Sequence, residues 1–212
     1  MVDVYASEEQ QVAAIKKWWK ENGTSVILGI VIGTAALFGW RAWQGQITAK
    51  GEQASMAYSL LEEQLHNKKV GEAEATGKKI MKEYKSTPYA SFAAFKLAKL
   101  AEDAEKTETA DEYLRWIVDN GKPEDLVQLA IMRLARLNLS SGNADSAWAL
   151  ISSMDKSMNL ATYQELKGDI LLAQGKQEEA RKAYLQAAAL NPNPSDPVGN
   201  PFLEMKIDDL GR

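Results

Sequence analysis

The feature that most constrains this chain is residues 24–43, TSVILGIVIGTAALFGWRAW, where an uncharged run is closed by Arg41. Trp18 and Trp19 precede the run, and Trp40 and Trp43 end it. Four of the six tryptophans therefore flank one short segment, as an aromatic belt at two membrane interfaces requires. A continuous helix from Trp19 to Trp40 is roughly 31 Å long at about 1.5 Å per residue, close to the ~30 Å hydrocarbon core. Two soluble readings compete with a membrane span. A buried core helix rarely carries indoles at both ends and no charge between them. A cleaved signal peptide needs a small-x-small site after the apolar run, but Gly39-Trp40-Arg41-Ala42-Trp43 is bulky and charged there. The expectation is a retained anchor over residues 24–43, set in the lipid bilayer.

Residues 44–212 remain beyond the anchor, enough for one globular domain with its own core. Lys16, Lys17, Lys20 and Arg41 balance Asp3, Glu8, Glu9 and Glu21, so the net charge of −4 belongs to the carboxy-terminal part. An acidic domain is a poor nucleic-acid partner. The absence of cysteine excludes disulfides, thiolate catalysis and thiolate metal sites.

Residues 1–23 form the amino-terminal segment. Ser7 reads as the N-cap of a short helix over residues 7–20, with acids early and lysines late. Val12, Ile15 and Trp19 make an apolar stripe beside Lys16, Lys17 and Lys20, which suits an interfacial helix; a water-exposed start of the span is the other open reading. Asn22-Gly23 predicts a break, leaving Thr24 to cap the span. Three lysines on the amino side against Arg41 and Lys50 on the other orient the amino terminus to the cytoplasm. Within the span Gly29 and Gly33 form G-x-x-x-G, continued by Ala36, a candidate face for a partner helix.

Beyond the anchor the sequence repeats. Residues 175–192, GKQEEARKAYLQAAALNP, resemble the second helix of a tetratricopeptide repeat, and Gly168 and Leu171 stand where its first helix wants a small and a large residue. Gln164 and Lys167 depart from the usual aromatic and leucine. Set back by 33 residues, the frame meets Leu134, Ala135, Gly142, Ala147, Ile151 and Met154. A further step of 37 meets Leu97, Ala98, Ala101, Ala110, Leu114 and Ile117, and another 37 meets Leu60, Leu61, Ala73 and Ile80. Small residues recur because paired helices cross there. The predicted fold is all-α: a tetratricopeptide-repeat-like helical solenoid of about four helix pairs, tethered by one N-terminal transmembrane helix, with residues 54–190 free of sheet.

In such a solenoid the first helix of each pair lines the concave face. The frame puts Tyr58, Phe92, Phe95 and Lys99 there from the first two pairs, then Met132, Arg136 and Leu139 from the third, and Glu165, Asp169 and Leu172 from the last. This is a candidate partner groove, apolar with both signs of charge. Residues 191–201 carry four prolines and read as a loop. Phe202, Leu203, Met205, Ile207 and Leu210 then mark a short helix over residues 202–210. It either caps the open end or lies across the concave face, in which case the groove side chains are ordinary core.

Gln11-Val12, Ile15-Lys16-Lys17-Trp18-Trp19 and Glu21-Asn22-Gly23, the span ending Gly39-Trp40-Arg41 and Trp43, the degenerate repeats, and the ending Glu204-Met205-Lys206-Ile207-Asp208-Asp209-Leu210 together resemble the YfgM family, ancillary subunits of the bacterial Sec translocon. The resemblance implies a single-pass inner-membrane protein with its domain in the periplasm. It also implies two partners, the Sec translocon and a membrane-anchored periplasmic chaperone of the prolyl-isomerase type.

Enzymatic readings find little purchase. His66, the only histidine, sits in a lysine-containing turn without a nucleophile nearby in sequence. No G-x-x-x-x-G-K-[ST], G-x-G-x-x-G, H-E-x-x-H or G-x-S-x-G is present. Neither a cofactor nor a small-molecule substrate is expected. Two non-enzymatic classes stay open: an interaction module for translocated chains and their chaperones, and a scaffold for another envelope or cytoplasmic complex.

Overall fold

The computed structural model describes residues 8–154, 161–190 and 201–211. Ser7 and residues 191–200 of the loop expected over 191–201 lie outside them, while Pro201 is the first residue of a helix. The described residues form nine helices and no strand. The chain divides into two compact units, residues 1–50 and residues 51–212.

The first unit holds most of α1, Glu8–His66. The break expected at Asn22-Gly23 is absent, and the helix runs through it. Asn22 Nδ2 donates to the Trp18 carbonyl at 3.0 Å, so its side chain adds to the helical turn instead of opening it. The Trp19 indole covers Gly23: a Cβ built on the glycine would stand 3.2 Å from the ring. Asparagine and glycine each cost a helix interior roughly 0.5–1 kcal/mol, too little to interrupt a long hydrogen-bond ladder.

In the second unit the helices pair in order. The last turns of α1 precede α2 (Val70–Glu83), α3 (Pro88–Asp103) precedes α4 (Thr107–Asn120), α5 (Glu124–Ser140) precedes α6 (Ala144–Ser152), and α7 (Ala161–Ala173) precedes α8 (Gln177–Ala189). A final helix, α9 (Pro201–Asp209), packs on α8. From α2 to α8 each helix packs on the next, and α5 also meets α7.

The turn inside each pair is the same structure four times. Lys68, Glu105, Gly142 and Gly175 have φ of 57°, 56°, 80° and 77°. They are separated by 37, 37 and 33 residues, the spacing of the sequence repeat. The next residue in each, Lys69, Lys106, Asn143 and Lys176, donates its N–H back to Gln64, Ala101, Asn138 and Leu171 at 2.9 Å. This is the Schellman closure, which satisfies carbonyls at the end of one helix while reversing the chain. The same residue's carbonyl then accepts from Ala73, Ala110, Ala147 or Ala180, and starts the second helix.

Those four alanines are fully buried. Two glycines mark close helix contacts, Gly168 of α7 inside the last pair and Gly77 of α2 against α3 of the next pair. A Cβ on Gly168 would meet the Tyr184 ring at 2.3 Å, and one on Gly77 would meet Leu97 at 2.8 Å. The core is three successive clusters. Leu61, Ile80, Leu97, Leu114 and Leu134 centre the first, Ala147, Ile151, Leu166 and Ile170 the second, and Leu171, Ala183, Tyr184 and Leu203 the third. Leu60, placed in the repeat frame beside Leu61, is 47% exposed and is no core position; on a helix adjacent residues point about 100° apart, and Leu61 takes the inward one.

Candidate functional site

Two surfaces stand out, one in each unit. In the first, Ile27, Leu28, Ile30, Val31, Ile32, Leu37 and Phe38 are all more than half exposed. A helix stretch apolar on every side and left this exposed is stable only where the solvent is itself apolar. Trp18 and Trp19 lie at one end with ring centroids 6.4 Å apart, and Trp40 and Trp43 at the other at 5.0 Å. Thr34 Oγ1 donates to the Ile30 carbonyl at 2.7 Å, which satisfies the hydroxyl inside the span. Gly29 and Gly33 have open space where a Cβ would be, and Ala36 is exposed. Among the described residues, α1 carries the one stretch long and apolar enough to cross a membrane.

In the second unit, the first helices of the pairs gather part of the expected groove and bury the rest. Tyr58 and Phe92 meet with centroids 6.0 Å apart, and Tyr89, which the repeat frame does not single out, packs on both at 5.8 and 6.1 Å. Phe92 remains 36% exposed. Lys96 pairs with Glu62 at 3.0 Å beside these rings. The Glu62 bond raises the Lys96 ammonium, against the effect of burial, and burial raises the Tyr58 phenol. Phe95 and Met132 belong to the core, at 8% and 5% exposure. Arg133 on α5 lies over the Phe95 ring, 4.7 Å from its centroid. Lys99 pairs with Asp103 at 2.6 Å, Arg136 is exposed, Leu139 is half-buried, and Leu172 is 39% exposed.

Glu165 and Asp169 are engaged from outside their own helix. Lys206 of α9 reaches both, at 2.9 and 2.7 Å, with its ammonium 5.5 Å above the Tyr184 ring. Burial opposes the charge on Lys206, but the bonds to Asp169 and Glu165 outweigh it and raise the pKa. Tyr184 donates its hydroxyl to Asp169 at 2.8 Å, and burial together with that bond pushes the phenol far above its ordinary value. Leu203 is buried in the cluster of Leu171, Ala183 and Tyr184, while Ile207 and Leu210 pack against that cluster. Sequence spacing could not find Lys206, because its partners lie 41 and 37 residues away in the chain.

No group of histidine and carboxylate side chains able to hold a metal occurs among the described residues. The two surfaces are an apolar helix and, on the domain, aromatic rings next to fixed charges.

One membrane-length helix joined in sequence to four stacked helix pairs defines a membrane-anchored tetratricopeptide-like protein. Residues 16–212 match the family described as tetratricopeptide repeat-like domain, and the chain belongs to it. Within it the chain is a member of the group of ancillary SecYEG translocon subunits. It is 28% identical to the ancillary SecYEG translocon subunit of Escherichia coli (strain K12), over 99% of both chains. It is 28% identical to that of Neisseria gonorrhoeae (strain ATCC 700825 / FA 1090), over 97% of this chain and 98% of the other. The proteins of the same name in Aggregatibacter actinomycetemcomitans shares 32% identity over 85% of this chain and 88% of its own length. No solved structure matches the chain.

Proposed function

We propose that this protein is a non-enzymatic interaction subunit that associates with the Sec translocon, residues 24–43 crossing the inner membrane once. In this reading residues 1–23 are cytoplasmic and residues 44–212 are periplasmic, with the carboxy-terminal helix capping the repeats. The domain then assists newly translocated chains together with a membrane-anchored chaperone of the prolyl-isomerase type. The observation that carries the proposal is the end-to-end similarity to relatives named ancillary SecYEG translocon subunits, which spans the anchor as well as the repeats. The excess of lysines before the span supports the orientation.

Two measurements test it. A reporter fused after Arg212 is expected to be active only outside the cytoplasm, and cytoplasmic activity alone overturns the topology. Purification from membranes in mild detergent is expected to bring the translocon with the chain, and a clean preparation without it overturns the association. Gly29→Ile with Gly33→Ile separates the two units' contributions. If the span packs on a partner helix, the larger side chains release the partner without preventing insertion. Unchanged copurification assigns the contact to the domain.

A further inference from the structure

The exposed stripes on the first helices of the four pairs carry one equivalent position each: Glu62, Lys99, Arg136 and Asp169, set 37, 37 and 33 residues apart. These charges are matched very differently. Glu62 is held by Lys96 and Lys99 by Asp103, while Asp169 and Glu165 share the ammonium of Lys206. Arg136 and Arg133 on α5 are both exposed. No carboxylate among the described residues lies within 4.0 Å of either guanidinium. The domain's own acids thus neutralise its lysines along this stripe and leave the two arginines.

The pair is also positioned. Arg133 rests over Phe95, its guanidinium carbon 4.7 Å from the ring centroid, a contact that fixes the cation without pairing it with a carboxylate. Arg136 follows three residues later, so the two Cβ atoms are roughly 5–6 Å apart on one helix face. Lys99, on α3, is close enough to Arg133 for their like charges to oppose each other, but Asp103 pairs with Lys99, so the unmatched positive charge here is that of the two arginines. Three residues before Phe95 on α3 stands the partly exposed Phe92, in ring contact with Tyr58 and Tyr89.

The geometry points to this stripe as a docking site for an extended acidic segment of another polypeptide, its carboxylates on Arg133 and Arg136 and a neighbouring apolar side chain on Phe92. The occupant follows from charge complementarity. A carboxylate gains charge-assisted, bidentate hydrogen bonds from a guanidinium that has no competing carboxylate, whereas a basic segment meets two unmatched guanidinium groups and acids already engaged by lysines. The inference rests on the interaction-module reading above and specifies the chemistry of what the module takes.

The test uses the full chain in nanodiscs of zwitterionic lipid and a short dye-labelled peptide bearing two Glu–Phe units separated by Gly and Ser, read by fluorescence anisotropy. Binding is expected to weaken at least about tenfold in the Arg133→Gln, Arg136→Gln variant, and by a similar factor when the peptide's Glu are replaced by Gln, with a strong dependence on salt. The reversal variant Arg133→Glu, Arg136→Glu is expected to bind the corresponding Lys–Phe peptide, a gain that unfolding cannot imitate. Equal binding of the Glu and Gln peptides, or an unaffected double variant, overturns the proposal. It also falls if the arginines govern only capture of phosphatidylglycerol vesicles or self-association of the chain. Where the translocon copurifies equally with wild type and the Gln variant while the peptide fails to bind, this inference fails and the association with the translocon stands.

Discussion

Lys68 and Glu105 hold the left-handed conformation that Gly142 and Gly175 hold in the other two turns. A Cβ in that region costs about 1–2 kcal/mol, partly offset because glycine gives the unfolded chain more freedom. Glu105→Gly is therefore expected to stabilise the domain by about 0.5–1 kcal/mol. The check is the urea midpoint of the full chain in mild detergent, and a lower midpoint contradicts the turn geometry. Gly168 tests the opposite limit. Its missing Cβ makes room for the Tyr184 ring, so Gly168→Ala is expected to overpack by about 1–3 kcal/mol. Gly71→Ala, with nothing within 4 Å of the new methyl, is expected to gain up to about 1 kcal/mol. If both alanines have the same sign, the helix crossing is misplaced.

Among the elements, α9 is where one helix has two unlike faces. Leu203 is 6% exposed against α7 and α8, while Phe202 is 71% exposed beside it. Leu203→Ala should cost about 2–4 kcal/mol, whereas Phe202→Ala should stay within about 0.5 kcal/mol. Similar losses from both would mean that α9 lies on another face. The element also shows the limit of reading by spacing. Apolar periodicity marks the helix over residues 202–210, and the structure places it at Pro201–Asp209, but periodicity cannot say what it covers. That is set by Lys206 meeting two carboxylates on α7 and by Leu203 entering the last hydrophobic cluster. The failed break at Asn22-Gly23 has the same origin. A turn signal is a local preference of about 1 kcal/mol, and the helical ladder on either side outweighs it.

At the scale of the whole molecule, stability should depend on alkaline pH in one direction. Tyr58, Tyr163 and Tyr184 are raised by burial, Tyr184 further by its bond to Asp169, and Lys96 and Lys206 are raised by their carboxylate partners. Each holds its proton more tightly folded than unfolded. Their contribution is fully present below the unfolded values near about 10 and is lost as pH rises through the folded ones. The urea midpoint is expected to be flat to about pH 9 and to fall above about pH 10, less steeply in Tyr184→Phe. A midpoint that rises with alkaline pH contradicts these environments. By itself the sequence determined the anchor, the all-helical repeat and its period. Charge exclusion over a membrane thickness and small residues at helix crossings are one-dimensional patterns, and the turns at Lys68, Glu105, Gly142 and Gly175 repeat with the period of the sequence. Only the tertiary structure decided which charges on the first helices are cancelled and which stay open. It buried Phe95 and Met132, left Phe92 half covered, and joined Lys96 to Glu62 and Lys206 to Glu165 and Asp169 across helices while leaving Arg133 and Arg136; the pair Lys99–Asp103, four residues apart on α3, is local. An ion pair needs atoms within a few ångströms, and helices that stack through a repeat bring together residues that no spacing along the chain relates.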